Sequence, residues 1–174
     1  AIMLEPVCPE GLTAFKLRLQ DAFTQAMLVD YPDFPEIIPP MRDIDESLAA
    51  SGSEALQIMC DGKAVGGAIV SGDGKAMLLD FIFVDTAFQD RHFGLAAWEA
   101  IEARYPDAER WEFVTPYHEK RNIHFYVNRC GFHITEYYNP RHPDPGYPQE
   151  EAGSYPDEEG GLFKFEKVMG SRRA

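Results

Sequence analysis

One carboxylate, Asp80, interrupts the apolar run Met77-Leu78-Leu79-Asp80-Phe81-Ile82-Phe83-Val84. Burying an unpaired carboxylate is costly, so a charge at this place implies a wet cleft or a partner. In a wet cleft Asp80 could take a proton through water or attract an ammonium group. With a partner it is a strand-end carboxylate neutralised by a nearby Lys or Arg. Both readings stay open. Strict strand alternation places Asp80 on the face of Leu78, Ile82 and Val84. Asp85, just past the apolar run, reads as a turn residue.

The adjoining stretch is also chemically suggestive: Thr86-Ala87-Phe88-Gln89-Asp90-Arg91-His92-Phe93-Gly94-Leu95-Ala96. An apolar strand ends, a polar turn intervenes, and a Gly-containing turn opens a helix. The unpaired N–H groups at a helix start point outwards together and carry partial positive charge. Such a place takes a phosphate-sized anion without net basic charge. Arg91 adds a cation there. The plainer reading is an ordinary strand–turn–helix with a surface Arg. The stretch is neither a GxxxxGK[S/T] phosphate loop nor a GxGxxG dinucleotide fingerprint.

Metal chemistry finds little support. Five histidines are present (His92, His118, His124, His133, His142). Cys130 and His133 are three apart, but no second pair has ligand spacing and no HExxH occurs, so no metal is expected. A GxSxG nucleophile elbow is also absent.

These residues need elements to hold them. The chain has 174 residues, 16 basic and 29 acidic, for a formal charge of −13. That length fits one domain, residues 1–174, able to bury roughly 70% of the surface of its unfolded chain. The acidity argues against a nucleic-acid binder, which needs clustered Lys and Arg. A polyanionic ligand would have to be held by backbone N–H groups and a few local cations. Three cysteines, Cys8, Cys60 and Cys130, without a CxxC pair suggest reduced thiols and a cytoplasmic address. No run of 18 apolar residues and no signal-peptide pattern occurs, so no membrane partner is expected.

Spacing predicts a helix over 9–29, a proline-rich loop over 30–40 and a short helix over 43–51. Strands over 56–60 and 64–70 flank Asp61-Gly62, the sign of a tight hairpin. Another strand covers 76–84 and a helix 93–105. A strand over 111–115, a helix over 119–129 capped by Cys130-Gly131, and strands over 132–138 and 162–169 complete the pattern. Residues 139–161 form an acidic, proline-rich connection, either a lid or a solvated excursion. The order describes an α/β fold with one mixed sheet.

The 81–96 segment resembles the acyl-CoA-binding motif of GNAT-type N-acetyltransferases: after an apolar strand, Gln or Arg, two residues, Gly, one residue, then Gly or Ala. Gln89 and Gly94 occupy the outer positions, Arg91 lies where a basic residue is frequent, and His92 replaces the first glycine. Downstream, Asn122-Ile123-His124-Phe125-Tyr126-Val127-Asn128-Arg129-Cys130-Gly131-Phe132 resembles the family's second motif. The resemblance implies a GNAT-like mixed sheet, splayed in the middle, with helices on both faces and acyl-CoA in the splay. It implies that the backbone of Ile82 and Val84 pairs with the pantetheine arm. Amides across Gln89, Asp90, Arg91, His92, Phe93, Gly94 and Leu95 would receive the pyrophosphate, and Asn122 would bond the arm.

The implied activity is acetyl transfer from acetyl-CoA to a primary amine of a small molecule or peptide. That reaction needs a base for the amine, a donor for the oxyanion and an acid for the leaving thiolate. The resemblance assigns the oxyanion donor to the Ile82 backbone and the acid to a Tyr. Asp80 is the residue-level candidate for the base. The family spacing is Tyr-x-x-x-Gly-Phe, whereas four residues separate Tyr126 from Gly131. Anchoring on Asn122 points to Tyr126, and counting back from Gly131 points to Val127. A GNAT-shaped module that binds acyl-CoA or a partner without turnover is the rival reading, an unrelated α/β domain a further one. Self-association into a homodimer is left open.

Overall fold

The chain starts with a strand that periodicity does not reveal: β1, Ile2–Pro6, five residues ending in proline. Its antiparallel pairing with β2, Glu54–Cys60, and not its composition, makes it a strand. The computed structural model describes residues 1–116, 123, 125–139, 141–145 and 161–170, and divides into two units, Ala1–Ala108 and Glu109–Ala174.

In the first unit, β2 turns back into β3, Lys63–Gly72, through Asp61 and Gly62. Both turn residues have positive φ, 50° and 79°, as the hairpin signal requires. β3 pairs antiparallel with β4, Ala76–Val84, whose bounds match the expectation. The four strands carry helices on opposite faces. On one side α1, Leu12–Asp30, and α2, Met41–Ala49, bury Phe15, Leu19, Ala22 and Ile44 against Ile69 and Phe83. On the other, α3, Gly94–Arg104, brings Ala97 to Ile58 and Val65, with Ile82 and Phe93 packed alongside. Burying one such side chain contributes about 1.5–3 kcal/mol, so these two clusters set where β4 sits. A Cβ at Gly67 would stand 2.3 Å from the Phe15 ring, so the bare backbone there is what lets α1 approach.

The second unit is an antiparallel ladder: β5, Arg110–Pro116, pairs with β7, Leu162–Val168, which pairs with β6, His133–Tyr138. Phe113 and Phe165 are directly opposite in the register and stack at 4.6 Å, a cross-strand pair at the centre of the unit. The expected helix over 119–129 is described at its end, Phe125–Arg129, and there it is a π-helical turn. Gly131 comes next but one with φ 84°, the left-handed residue anticipated for the cap. Most of the 139–161 connection lies outside the described residues.

Candidate functional site

Asp80 does not lie where strict alternation puts it. Leu79 pairs with Val70 and Phe81 with Ile69, so β4 carries one residue more than β3 at this point, and that residue is Asp80. A bulge of this kind turns two consecutive side chains towards one face. The Asp80 carboxylate accordingly meets α2, with Ser47 Oγ donating to its Oδ2 at 2.8 Å and Ser71 Oγ at 2.9 Å. Ile82 packs on the opposite face, in the cluster that includes Ala97 of α3. The expected grouping of Asp80 with Ile82 is therefore corrected, while its partners among the described residues are hydroxyls rather than a Lys or Arg. Burial pushes the Asp80 carboxyl above the usual carboxylate range, and the two serine hydroxyls draw it partly back. Ser47 and Ser71 were not singled out by sequence reasoning, because nothing local marks two serines 24 positions apart as converging on one oxygen.

Beyond the bulge β4 is regular. Asp85 N donates to Val65 O at 2.8 Å, so the pair 65–85 is hydrogen-bonded and the register places Val84 opposite Gly66 and Ile82 opposite Ala68. Antiparallel pairs alternate between bonded and non-bonded, so the N–H and C=O groups of Ile82 and Val84 turn away from β3. Gln89 Nε2 donates to the Val84 carbonyl at 3.3 Å, folding the turn back onto the strand end.

The turn itself is a 3₁₀ helix, Thr86–Arg91, closed by His92. His92 has φ 59° and ψ 41°, the left-handed conformation. Glycine takes this conformation without strain, and histidine is among the residues that tolerate it. The histidine that replaces the first motif glycine thus keeps the backbone path that a glycine would permit. Phe93 is the residue at the head of α3, and its side chain has no acceptor for the helix's first N–H groups. Gln89, Arg91 and His92 are at the surface beside it, and Gly94 and Leu95 open the helix. For a phosphate the chemistry is suitable: the uncapped N-terminus of α3 with one guanidinium, Arg91, beside it.

Tyr126 lies in the π turn of the second unit. Cys130 N donates to Phe125 O at 3.0 Å, a five-residue step, and Phe132 N to Tyr126 O at 2.9 Å. The extra residue between Tyr126 and Gly131 is taken up inside this wide turn. The Tyr126 ring is half-buried, 4.4 Å from Phe113 and 5.9 Å from Phe165 between centroids, with Phe132 edge-on at 6.2 Å. Lys167 Nζ donates to Cys130 O at 2.6 Å and holds the turn's carbonyl end. Asn122 lies outside the described residues.

Among the described residues no group of three or more His, Cys, Asp and Glu could hold a metal ion. No described helix is long and apolar enough to cross a membrane.

Comparison with known proteins identifies the class, an acetyltransferase. The model of the acetyltransferase (GNAT) family matches residues 19–132, and the chain belongs to that family. The chain is 41% identical over 173 residues to the uncharacterized protein YrkN of Bacillus subtilis (strain 168), covering 97% of this chain and 94% of that one. Among solved structures it is similar to the ribosomal-protein-S18-alanine N-acetyltransferase from Escherichia coli (TM-score 0.69, 15% identity, 100% and 99% of the two chains). It is also similar to a GNAT family acetyltransferase from Elizabethkingia anophelis with acetyl-CoA bound (TM-score 0.64, 14% identity, 97% and 98%). An acetyltransferase from Bacillus subtilis in complex with CoA gives a TM-score of 0.62 at 17% identity, over 97% of each chain. At these identities the likeness carries the fold, which is the mixed α/β fold of GNAT acetyltransferases.

Proposed function

We propose that this protein moves the acetyl group of acetyl-CoA to a primary amine of a small molecule or peptide, by direct attack in a ternary complex. Residues 1–174 work as one acetyltransferase domain. The observation that carries the reading is the His92 corner, where a left-handed histidine takes the place of the family motif's first glycine between the Thr86–Arg91 turn and the head of α3. Amides from Gln89 through Asp90, Arg91, His92, Phe93 and Gly94 to Leu95 receive the pyrophosphate. The outward-turned backbone of Ile82 and Val84 pairs with the pantetheine arm, to which Asn122 adds a hydrogen bond.

The amine nitrogen attacks the thioester carbonyl carbon, the carbon–sulfur bond breaks, and the acetyl group leaves as an amide. Asp80 takes the amine's proton or anchors the incoming ammonium; its burial raises its proton affinity, the direction a general base requires. The Ile82 N–H stabilises the oxyanion, and the Tyr126 phenol protonates the departing thiolate. A phenol with an ordinary pKa near 10 keeps its proton at neutral pH. The acidic 139–161 connection favours a cationic acceptor, and three reduced cysteines fit a cytoplasmic address.

The test is release of free thiol from acetyl-CoA across a panel of amines. Release with any amine establishes the transferase. CoA binding without release under every amine would instead identify a non-catalytic acyl-CoA-binding module.

A further inference from the structure

The residue that follows β4 is held more heavily than a turn residue needs. Asp85 receives a two-pronged fork from Arg18 of α1, with Nε to Oδ1 at 3.2 Å and Nη2 to Oδ2 at 2.9 Å. Two further donors of the same guanidinium go to Gln57 Oε1 at 2.8 Å and to the Gly66 carbonyl at 3.4 Å. Its Cζ lies over the Phe83 ring, 5.7 Å from the centroid. Four parts of the chain thus converge on one side chain: α1 supplies it, and β2, β3 and the residue just past β4 accept from it. One helical turn further along α1, Asp21 accepts from Thr86 Oγ1 at 3.2 Å. Consecutive residues of the turn, Asp85 and Thr86, are therefore gripped by residues three apart on one face of α1.

That grip bears on function because Asp85 is the last point fixed to the sheet before the Thr86–Arg91 turn and His92. Asp85 also donates its N–H to Val65 O and accepts from Phe88 N, both at 2.8 Å. A planar fork with two bonds sets orientation as well as distance, which a single ammonium contact would not.

We infer that Arg18 is a positioning residue for the 86–94 turn, with Asp21 as its secondary tie, so that α1 sets the affinity for the phosphate-bearing part of the co-substrate. This rests on the reading of that turn as the pyrophosphate site. Arg18 touches no reacting atom. It acts by aiming the amides beyond Asp85, and a small misaiming of such a group costs affinity out of proportion to its size.

The experiment compares calorimetric affinities for CoA and for pantetheine, the same arm without phosphates, in wild type, Arg18→Met, Arg18→Lys and Asp85→Asn. The expected result is CoA affinity lowered about tenfold in Arg18→Met and less in Arg18→Lys, which keeps the charge but not the fork. Pantetheine affinity should stay at the wild-type level in both. Asp85→Asn keeps the shape of the acceptor and should reproduce the selective loss if the Arg18 variants do not fold. Equal losses for both ligands in folded variants, or no loss for either, overturn the positioning role while leaving the pyrophosphate reading intact. Wild type that binds pantetheine but gains nothing from the phosphates of CoA overturns the pyrophosphate reading, and the positioning role falls with it.

Discussion

Two stretches of this chain carry one residue more than regular geometry allows, and they handle it differently. In β4 the extra residue is Asp80, left without a cross-strand partner between the pairs Leu79–Val70 and Phe81–Ile69. In the second unit the extra residue lies between Tyr126 and Gly131 and disappears into the π turn Phe125–Arg129. A strand has a side-chain period of two, so one insertion sends a side chain to the opposite face. A helix turns by about 100° per residue, and widening one turn recovers the lost phase. The strand insertion re-aims a carboxylate towards α2. The helix insertion keeps Tyr126 against Phe113 and Phe165.

If both insertions serve catalysis, removing the groups they aim must slow turnover while the folded core persists. The largest effect is expected for Asp80→Asn, a fall in kcat of about 10²–10⁴ if the carboxylate is the general base. Wild-type rate and pH profile in this variant would make Asp80 structural. Tyr126→Phe should lower kcat by about 10² with CoA affinity nearly unchanged, because the phenol acts as charge develops on sulfur. Its neighbour Val127 is the control for the phase of the turn. Val127→Ala should cost about 1 kcal/mol of stability and leave kcat alone, and the reverse pattern would mean that counting from Gly131 was the correct register.

The Asp80 bulge also predicts a pH signature. The folded state holds a proton on Asp80 more tightly than the unfolded chain does, so it binds more protons between the unfolded and the raised folded pKa. Stability is therefore lost as pH rises through that window, and above it the buried charge is a standing cost. Chemical denaturation of wild type against Asp80→Asn should show a gap in favour of the variant at neutral pH that closes under acid conditions. A gap that widens under acid conditions would mean that hydroxyl bonding from Ser47 and Ser71 outweighs burial. The smallest expected effect lies at His92. Glycine there relieves the left-handed strain but loosens the unfolded chain, for a net gain of about 0.5–1 kcal/mol. A thermal melt and CoA titration of His92→Gly check it, with affinity expected to hold.

How far such features can be read from sequence depends on how local their causes are. The Asp61-Gly62 hairpin, the extent of β4 and the Gly131 cap are set by residues next to one another, and each is legible. The His92 corner is legible as a departure from a motif, though not as a conformation. The bulge at Asp80 depends on the register of β3 against β4, which no window of β4 contains. Arg18 and Asp85 are 67 positions apart, and neither spacing nor periodicity links them. β1 escapes notice because five residues ending in proline have too short a pattern, and only the ladder with β2 identifies it.

That same strand has a bearing on how the molecule behaves when crowded with its own kind. Among the described residues β1 is hydrogen-bonded in the sheet by β2 alone, and an open strand edge is a template on which a second molecule can add a strand of its own and begin a fibril. Here the invitation is short, carries an exposed carboxylate at Glu5, and stops at Pro6, which has no N–H to offer. The residue that hides β1 from a reader of the sequence is also one that hides its edge from neighbouring molecules.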